Sequence, residues 1–538
     1  MSSKRAIFFL AAVWCFQPIE AQESAAIAIP TSTLQKTLMQ AAVTNCDRMA
    51  TLHTTSMQEA LTELYQRRNY SPLWLDDDQG LSISRFSSLQ NELRQLGDDG
   101  LWLADYSDAL DATQSTDVCQ EVRLSSYYLM ALEHLSRGRL PPLLHDPQWL
   151  AVTPTADINA DLVTLALVND AHIADAFTLA RPSLKLYTEL RSSYALMAKP
   201  APAQTDIPAG ATIRPNAMDD RLPQVFERLV SAGYLPSDSR LPQVYDSSLE
   251  IALRHFQIDN GLESDGVIGA KTLAAMNITP QQRLLKIRIN LERLRWIAAQ
   301  REDYLLLVNI AGGRVRLLRG EETIWESRVQ TGRPARPTPS LVSSINRITL
   351  NPSWTIPPTI MRQDVLPQIR NNPDYLREKN LQVIDFQGKL LDPAQQNWSK
   401  PTGIMLRQPP GPTNPLGQVV FRLDNPFSIY LHDTPSQNLF NQSSRSVSSG
   451  CVRVEDAQVL AGILMESTSA EKRALLLNVQ DSEKTMEIAL PGGPQLIISY
   501  WTAEAGEDGR ATLMQDPYAL DQPLMNAFTR IEQELRGH

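Results

Sequence analysis

The hydrophobic pattern of this chain changes its period near Tyr304, and that change limits the possible folds more than any other feature. Before it, apolar residues recur at helical spacing, as in MQEALTELYQRRNY and SSLQNELRQLGDDG. After it, runs such as YLLLVNI and RVRLLRG alternate with a period of two and are separated by Gly-containing turns. A chain of 538 residues also exceeds the usual size of one domain. We therefore predict a multidomain α+β protein with helical domains first and a mainly β sandwich or barrel after them.

Changes in composition along the chain suggest where these domains begin and end. The stretch 199–216 is rich in Pro and Ala, which is typical of a linker. The predicted boundaries are 46–200 for a helical domain, 201–217 for the linker, 218–278 for a compact helical module, 279–303 for a connecting helix, 304–505 for the β domain and 506–538 for a C-terminal helical segment.

Two segments leave alternatives open. The predicted connecting helix carries an apolar stripe and many basic residues, and we expect its basic face to be solvated rather than bound to an acidic partner. Within the β domain, the alternating pattern stops between about 357 and 400, where the chain is polar and helical in character. An insertion of this length is usually functional or disordered, and a surface excursion without a role is the alternative.

The N-terminus has the pattern of a secretory signal peptide over residues 1–21. Lys4 and Arg5 precede an apolar run over 6–16, and Ile19-Glu20-Ala21 fits a cleavage site. This run is shorter than the roughly 20 residues that a spanning helix needs, so an uncleaved membrane anchor is only the alternative. We expect a periplasmic or cell-envelope protein, with a flexible lead-in over 22–45.

Composition narrows the possible partners. The formal net charge is −10, and an acidic chain without a basic run argues against nucleic acid and against electrostatic docking on anionic lipid. The sequence has no Cys pair or His-x-x-x-His at metal-ligand spacing, no phosphate loop and no dinucleotide fingerprint. We therefore expect neither a metal nor another cofactor.

One stretch, FSIYLHDTPSQNLFNQSSRSVSSGCVRV, carries the candidate chemistry. It begins as a strand on which Tyr430 and His432 share one face, and a polar loop then leads to Gly450-Cys451. A cysteine attacks as the thiolate, and a neighbouring imidazole can take its proton. The pattern predicts Cys451 as the nucleophile and His432 as the general acid and base. A buried structural cysteine beside an unrelated strand histidine is the alternative.

Neighbouring residues fit the same chemistry. Gly450 allows a close backbone approach, so the Cys451 N–H can face an oxyanion, with the Gly450 amide or the Tyr430 hydroxyl as a further donor. Arg453 and Arg445 add positive charge that favours the thiolate.

His432 is also favoured by elimination, because His538 is the only other histidine from residue 280 onward. His432 needs no carboxylate to orient it if a backbone carbonyl holds its second nitrogen, and we expect the Asp433 carboxylate to serve the following turn.

The cysteines support a free thiol at position 451. Cys15 leaves with the predicted leader, whereas Cys46 and Cys119 lie in one N-terminal region. In an oxidising compartment an even pair forms a bridge and the odd cysteine stays reactive. We predict a Cys46–Cys119 disulfide and a free Cys451.

The candidate stretch resembles the signature of the L,D-transpeptidases, cysteine enzymes that cross-link bacterial peptidoglycan. Their pattern is a His, a spacer, Ser/Thr-x-Gly-Cys, and an Arg or Asn two places on. Here it is His432, then Ser448-Ser449-Gly450-Cys451-Val452-Arg453, with Ser449 where many smaller members carry a second His. The other shared motifs are Thr331-Gly332 with Thr338-Pro339, Asn351-Pro352-x-Trp354, and Pro410-Gly411-Pro412-x-Asn414-x-Leu416-Gly417.

Other regions resemble further parts of the large periplasmic members. Tyr65, Arg68, Tyr70 and Trp74 resemble the helical scaffold domain, and the stretch 256–273 resembles the three-helix peptidoglycan-binding module. The module is expected either to bind glycan or peptide or to act as a spacer. The resemblance also implies that the insertion at 357–400 is a lid over the Cys451 cleft.

The resemblance implies a role in cell-wall biogenesis and cell shape. Cys451 would form a thioester with a tetrapeptide stem, release D-Ala, and pass the acyl group to a second stem in a 3–3 cross-link. Arg407, Arg445 and Arg453 would lie near the site, with Arg453 the best candidate for substrate contact. The alternatives are an L,D-carboxypeptidase on the same bond and a non-catalytic peptidoglycan-binding scaffold. The expected partners are stem peptides, glycan and other cell-wall synthesis enzymes; the oligomeric state is left open.

Overall fold

A computed structural model describes most of the chain after residue 54. The described residues are 55–74, 82–112, 118–144, 146, 158–169, 172–198, 204–442, 444–466, 468–478, 484–506 and 509–536. The predicted leader, the lead-in and Cys46 lie outside them. None of the helices described is long and apolar enough to cross a membrane.

The N-terminal region is helical, as the periodicity predicts. Its apolar helix faces meet in one core, where Trp74 packs edge-on against Tyr128 with ring centroids 5.7 Å apart. The helices are α1 (Thr55–Arg67), α2 (Ile83–Gln95), α3 (Ser107–Leu110), α4 (Val118–Arg137), α5 (Ile158–Ala166), α6 (Ile173–Ala180) and α7 (Lys185–Met197), with 3-10 turns at Leu103–Tyr106 and Pro142–Leu144.

The next module contains α8 (Leu222–Ser231), α9 (Ser247–Asp259) and α10 (Ala270–Met276) around its own core. Asp246 begins α9 by accepting a hydrogen bond from the Leu249 N–H at 3.0 Å. The buried Gln257 side chain donates to the Val267 carbonyl and accepts from the Gly266 N–H. This amide therefore fixes the turn between the last two helices.

Helix α11 (Pro280–Ala298) lies at the centre of the molecule. A capping box at Thr279 begins it, and residues 289–297 are all buried. The expectation of a solvated basic face is therefore wrong. Two of its arginines are buried because acids neutralise them: Arg293 pairs with Asp521 at 2.5 Å and Arg295 with Glu292 at 2.9 Å. The apolar residues of α11 join the N-terminal domain, the β domain and the C-terminal helix in one core.

The β domain is a two-layer sandwich. Its sheet runs β10-β3-β11-β9-β8-β4-β13-β1-β2, with β12 on β4, and β3 also pairs with β2. The first part of β3 pairs with β2 and its last part with β11, so β3 passes from one layer to the other. β4 does the same between β13 and β8. The strands are β1 (Tyr304–Asn309), β2 (Arg314–Arg319), β3 (Glu322–Gly332), β4 (Leu341–Leu350), β8 (Val419–Leu423), β9 (Leu431–His432), β10 (Ser446–Ser448), β11 (Val452–Val454), β12 (Met486–Ala489) and β13 (Gln495–Ser499).

The insertion folds as a small unit with its own core and a three-stranded sheet, β5-β7-β6. It contains helices, as the polar helical pattern predicted, and these helices are short. The elements are β5 (Trp354–Thr355), α12 (Pro358–Ile360), a π-helical turn (Met361–Val365), α13 (Leu366–Asn371), α14 (Tyr375–Glu378), β6 (Gln382–Ile384), a 3-10 turn (Pro393–Gln395) and β7 (Met405–Gln408).

The remaining elements follow the nucleophile stretch or lie within it. A hairpin of β14 and β15 and the last helix pack against α11. They are a 3-10 turn (Gln437–Asn441), α15 (Ala457–Leu464), α16 (Ala470–Leu477), β14 (Ala503–Ala505), β15 (Ala511–Leu513) and α17 (Asp521–Arg536).

Candidate active site

The predicted nucleophile and base lie on one face of the sheet. β9 and β11 are parallel neighbours, with Arg453 opposite His432. Tyr430 and Cys451 immediately precede these strands and continue the same register, since the residue after Cys451 donates its N–H to the Tyr430 carbonyl at 3.1 Å. Because side chains alternate between faces, all four point to one side. Their aliphatic neighbours point to the other side, into the core.

The strands on either side extend this polar face. β8 pairs with β9 and places Arg422 beside Tyr430, with the guanidinium 5.1 Å from the centre of the phenol ring. β3 places Gln330 opposite Arg453, whose Nη1 donates to Gln330 Oε1 at 3.1 Å. The thiol therefore lies in a patch with two cations, a phenol and an imidazole.

The imidazole is held in one tautomer. His432 Nδ1 donates to the Asp433 carbonyl at 2.5 Å, which leaves Nε2 as the basic nitrogen. The Asp433 carboxylate instead accepts from the Gln418 N–H at 2.9 Å. Both observations confirm the expected backbone orienter. Burial, aided by the charge of Arg453, lowers the pKa of His432 to about 3, so the ring is neutral at pH 7.

Cys451 is a free thiol with a half-buried side chain. Burial raises the pKa of this thiol, and Tyr430, Arg453 and Arg422 partly oppose that rise. The resting pair is therefore a neutral thiol and a neutral imidazole. The same two arginines disfavour an imidazolium and favour a thiolate.

Hydrogen bonds fix the loop that carries the nucleophile. Gly450 has φ +117°, a left-handed conformation that favours glycine. Its N–H donates to Ser448 Oγ at 3.1 Å, and Thr338 Oγ1 donates to its carbonyl at 2.7 Å. The Gly450 amide, predicted as a further oxyanion donor, is thus already occupied. The Cys451 N–H has no hydrogen-bond partner within the part of the chain that the structure describes.

Ser449 connects the nucleophile loop to the insertion through Arg336. Arg336 Nη1 donates to Ser449 Oγ at 3.0 Å and pairs with Asp364 at 2.6 Å. Asp364 lies in the π-helical turn of the insertion. The insertion is therefore tied to the residue two places before the nucleophile.

The other two predicted arginines lie elsewhere. Arg445 donates to the carbonyls of Gly312 and Gly313 in the turn between β1 and β2. It lines a cavity of about 470 Å³ between the three-helix module and the β domain. Arg407 is in the sheet of the insertion, where its Nε donates to Thr355 Oγ1 at 3.3 Å.

Sequence reasoning missed Arg422, Gln330 and Arg336. Arg422 and Gln330 are distant in sequence from Cys451, and only the strand order brings them beside it. The alternating pattern of VVFRL indicates a strand but does not say which strand is its neighbour. Arg336 lies in a Pro-rich loop whose pattern carries no signal for its contacts.

The remaining cysteine prediction is tested only in part. Cys119 is disulfide-bonded, but Cys46 lies outside the described residues, so the pairing of these two stays a prediction. No group of three or more His, Cys, Asp or Glu side chains that could hold a metal ion occurs in the described ranges.

Three segments match known domain families. Residues 303–472 match the "L,D-transpeptidase catalytic domain", residues 59–193 the "Scaffold domain", and residues 220–276 the "Putative peptidoglycan binding domain". A Haemophilus influenzae protein named "Putative L,D-transpeptidase" is 33% identical over 245 residues. That alignment covers 44% of this chain and 48% of the relative, so it spans about half of the relative's length.

Solved structures give weak likenesses. An L,D-transpeptidase from Mycobacterium smegmatis is 14% identical with a TM-score of 0.17, covering 37% of this chain and 58% of its own. One from Enterococcus faecium is 9% identical with a TM-score of 0.18, covering 39% and 62%. TM-scores this low carry no weight for the fold.

Proposed function

We propose that this chain, whose residues 303–472 match the L,D-transpeptidase catalytic domain, forms 3–3 cross-links in peptidoglycan through a thioester at Cys451. The observation that carries the proposal is the pairing of β9 with β11. It places a free thiol and a neutral imidazole on one sheet face of the matched domain. The scaffold and peptidoglycan-binding domains fit a substrate in the cell envelope.

In the first half-reaction, Cys451 becomes acylated. Its Sγ proton passes to Nε2 of His432, and the sulfur attacks the carbonyl that joins the third residue of a tetrapeptide stem to its terminal D-Ala. The unpartnered Cys451 N–H is the donor available to the oxyanion. The imidazolium then gives its proton to the nitrogen of D-Ala, which leaves, and the acyl group remains on sulfur as a thioester.

In the second half-reaction, the amine of another stem attacks the thioester carbonyl. His432 accepts the amine proton and returns a proton to the sulfur, so that Cys451 is regenerated and a 3–3 bond is formed. Water in place of the amine would give an L,D-carboxypeptidase. A closed lid at 357–400 would favour transfer by limiting water, and the Arg336–Asp364 pair is the contact that supports such closure.

The patch electrostatics suit this scheme. Arg453 and Arg422 both favour the thiolate and lower the pKa of His432. The proton transfer therefore creates a thiolate, which the two arginines stabilise, and an imidazolium, which they destabilise. A carboxylate of the bound substrate would offset the destabilisation of the imidazolium.

The test is mass spectrometry of products from tetrapeptide muropeptides, with the wild-type chain and Cys451→Ala. We expect a dimer that lacks the donor's D-Ala, together with a thioester adduct on the intact wild-type protein; the variant should give neither. His255→Ala, at an exposed position in the three-helix module, is the control. Tripeptide monomer alone would establish the carboxypeptidase, and binding of peptidoglycan without any product would establish the scaffold.

A further inference from the structure

Arg422 is a half-buried cation with unused hydrogen-bonding capacity. Its Nε donates to Thr349 Oγ1 at 3.1 Å, while neither Nη1 nor Nη2 has a partner in the portion of the chain described here. No acidic side chain in that portion pairs with it. Its guanidinium fork is therefore free to receive two oxygens of one carboxylate, which is the geometry that arginine binds best.

Three other partly buried arginines of the same domain differ. Arg316 pairs with Glu504, and Arg328 pairs with Glu455. Arg445 has no acid but donates from all three of its nitrogens to backbone carbonyls. A partly desolvated guanidinium is costly unless its donors are satisfied. Arg453, the other cation beside the nucleophile, also lacks an acid but is held through Nη1 by Gln330. Arg422 is thus the arginine on this face whose two Nη atoms are both open.

Its position relative to the thiol follows from the strand order. Arg422, Tyr430 and Cys451 form one row across β8, β9 and β11. Two strand spacings separate the ends of the row by roughly 10 Å at the backbone. The guanidinium lies over the Tyr430 ring, 5.1 Å from its centre, and so extends toward the thiol. Its fork therefore lies over the residue that separates Arg422 from Cys451 in this row.

The donor has a carboxylate close to the site of attack. In the proposed reaction the attacked carbonyl is followed by one residue only, and consecutive residues are about 3.8 Å apart between Cα atoms. The C-terminal carboxylate of that leaving residue is the substrate anion closest to the scissile bond on its side. We propose that Arg422 binds this carboxylate and thereby restricts the enzyme to donors that end one residue after the attacked carbonyl.

This assignment rests on the proposed function and adds a residue that sets its specificity. A donor with one further residue would move its carboxylate beyond the fork and bury an amide against it. The carboxylate departs with the leaving residue, and the Nη atoms of Arg422 are then again without a partner. The charge of the bound carboxylate also opposes the effect of Arg422 on His432, so the correct donor makes the base stronger.

The experiment compares two donors with Arg422→Gln and Arg422→Lys. One donor is the tetrapeptide stem with a free C-terminal carboxylate, and the other is the same peptide with a C-terminal carboxamide. Release of D-Ala or D-alaninamide and the thioester mass are followed together. With the free acid, Arg422→Gln should lower kcat/KM by about 10- to 150-fold, the range for a charge-assisted hydrogen bond. With the amide, wild type and variant should agree within roughly threefold, and Lys should restore part of the loss with the acid.

Arg347→Gln is the matched control. Arg347 lies opposite Arg422 on β4, one strand farther from the thiol, and already pairs with Glu487 at 3.2 Å. Arg347→Gln should leave kcat/KM unchanged for both donors. Equal losses of Arg422→Gln on both donors would overturn the proposal, because Arg422 would then only position Tyr430. The absence of any loss would overturn it as well.

Binding separates this proposal from the proposed function. In a Cys451→Ala background, calorimetry should show that the acid peptide binds more tightly than the amide, and that Arg422→Gln removes the difference. If wild type forms no thioester with either donor, the proposed function fails while the calorimetric comparison still decides the role of Arg422. Equal binding of acid and amide with Arg422 intact would overturn the assignment.

Discussion

Two groups of arginines in this molecule are wholly or partly buried, and they differ in whether an acidic side chain of the protein neutralises them. At the junction around α11, Arg295 is 1% exposed and pairs with Glu292, and the fully buried Asp99 accepts from other arginines of the N-terminal domain. On the catalytic face, Arg422 and Arg453 have no acid partner among the residues that the structure covers. The junction supplies both charges from the chain itself. The catalytic face supplies only the cations and leaves the anion to the substrate.

The physical consequence is a division of roles. Removing one member of a buried ion pair leaves an uncompensated charge in a low dielectric, which costs stability. Removing a cation that has no acid partner leaves no unpaired charge in the free protein, so most of the cost falls on the bound state. Substitutions at the junction should therefore change unfolding, and substitutions on the catalytic face should change kinetics.

The largest kinetic effect is expected for His432→Gln. Without Nε2 as acceptor and donor of the proton, the rate of thioester formation should fall by about 10²–10⁴-fold, the usual contribution of a positioned general base. The acylation rate with the tetrapeptide donor measures this, and thermal unfolding checks the fold. His255→Gln, at an exposed position, is the control. A full rate in His432→Gln would remove His432 from the mechanism.

The second prediction sharpens the contrast at the junction. Asp99→Ala should lower the free energy of unfolding by about 3–5 kcal/mol, because Arg181 and Arg191 lose their buried partner. Turnover per folded molecule should stay unchanged. Asp98→Ala is the matched control, since its 3.5 Å pair with Arg191 is exposed and should contribute about 0–1 kcal/mol. An Asp99→Ala protein with unchanged unfolding free energy but slower turnover would contradict the assignment of stability to the junction and kinetics to the catalytic face.

The sequence predicted the parts of the site that lie close together along the chain. Cys451, Gly450 and His432 occur within one stretch, and their spacing alone suggested a thiol and its base. Arg422 could not be found this way, because its place beside Tyr430 depends on which strands are neighbours. Alternation predicts that a strand exists and which faces it has, whereas strand order is set by packing over the whole domain.

The error at α11 has a different cause. Its many charged residues resemble a solvated face, and sequence periodicity cannot show that partners from distant segments neutralise them. Arg293 is paired by Asp521, more than two hundred residues later in the chain. The helix could be predicted from local periodicity, whereas its burial could not, because the burial depends on partners that are distant in sequence.

A third prediction tests a paired cation that lies at the site itself. Arg336 is bound to Asp364 and Ser449, and the pair is partly exposed, so screening limits its strength. Arg336→Gln should loosen the insertion and slow acylation by about 3- to 10-fold, the equivalent of roughly 1 kcal/mol. Hydrogen exchange over 357–400 should rise in parallel.

Arg333→Gln is the control for Arg336, because Arg333 reaches the same Asp364 only at 3.9 Å and is more exposed. Faster exchange in the insertion without slower acylation would show that this contact stabilises the domain but does not serve catalysis. Unchanged exchange would show that other contacts hold the insertion in place.

The smallest effect concerns the charge of Arg453 on the thiol. Burial raises the pKa of Cys451, and Arg453 is one of the groups that lower it. Arg453→Gln should therefore raise the thiol pKa further, reduce the thiolate fraction at neutral pH, and move the pH profile of iodoacetamide alkylation toward higher pH. Arg347→Gln, which is paired with Glu487, should leave the profile in place. Coincident profiles for Arg453→Gln and wild type would mean that Arg453 does not activate the thiol and acts on the bound substrate alone. Both arginines of the catalytic face would then serve substrate binding, with Arg422 selecting the donor.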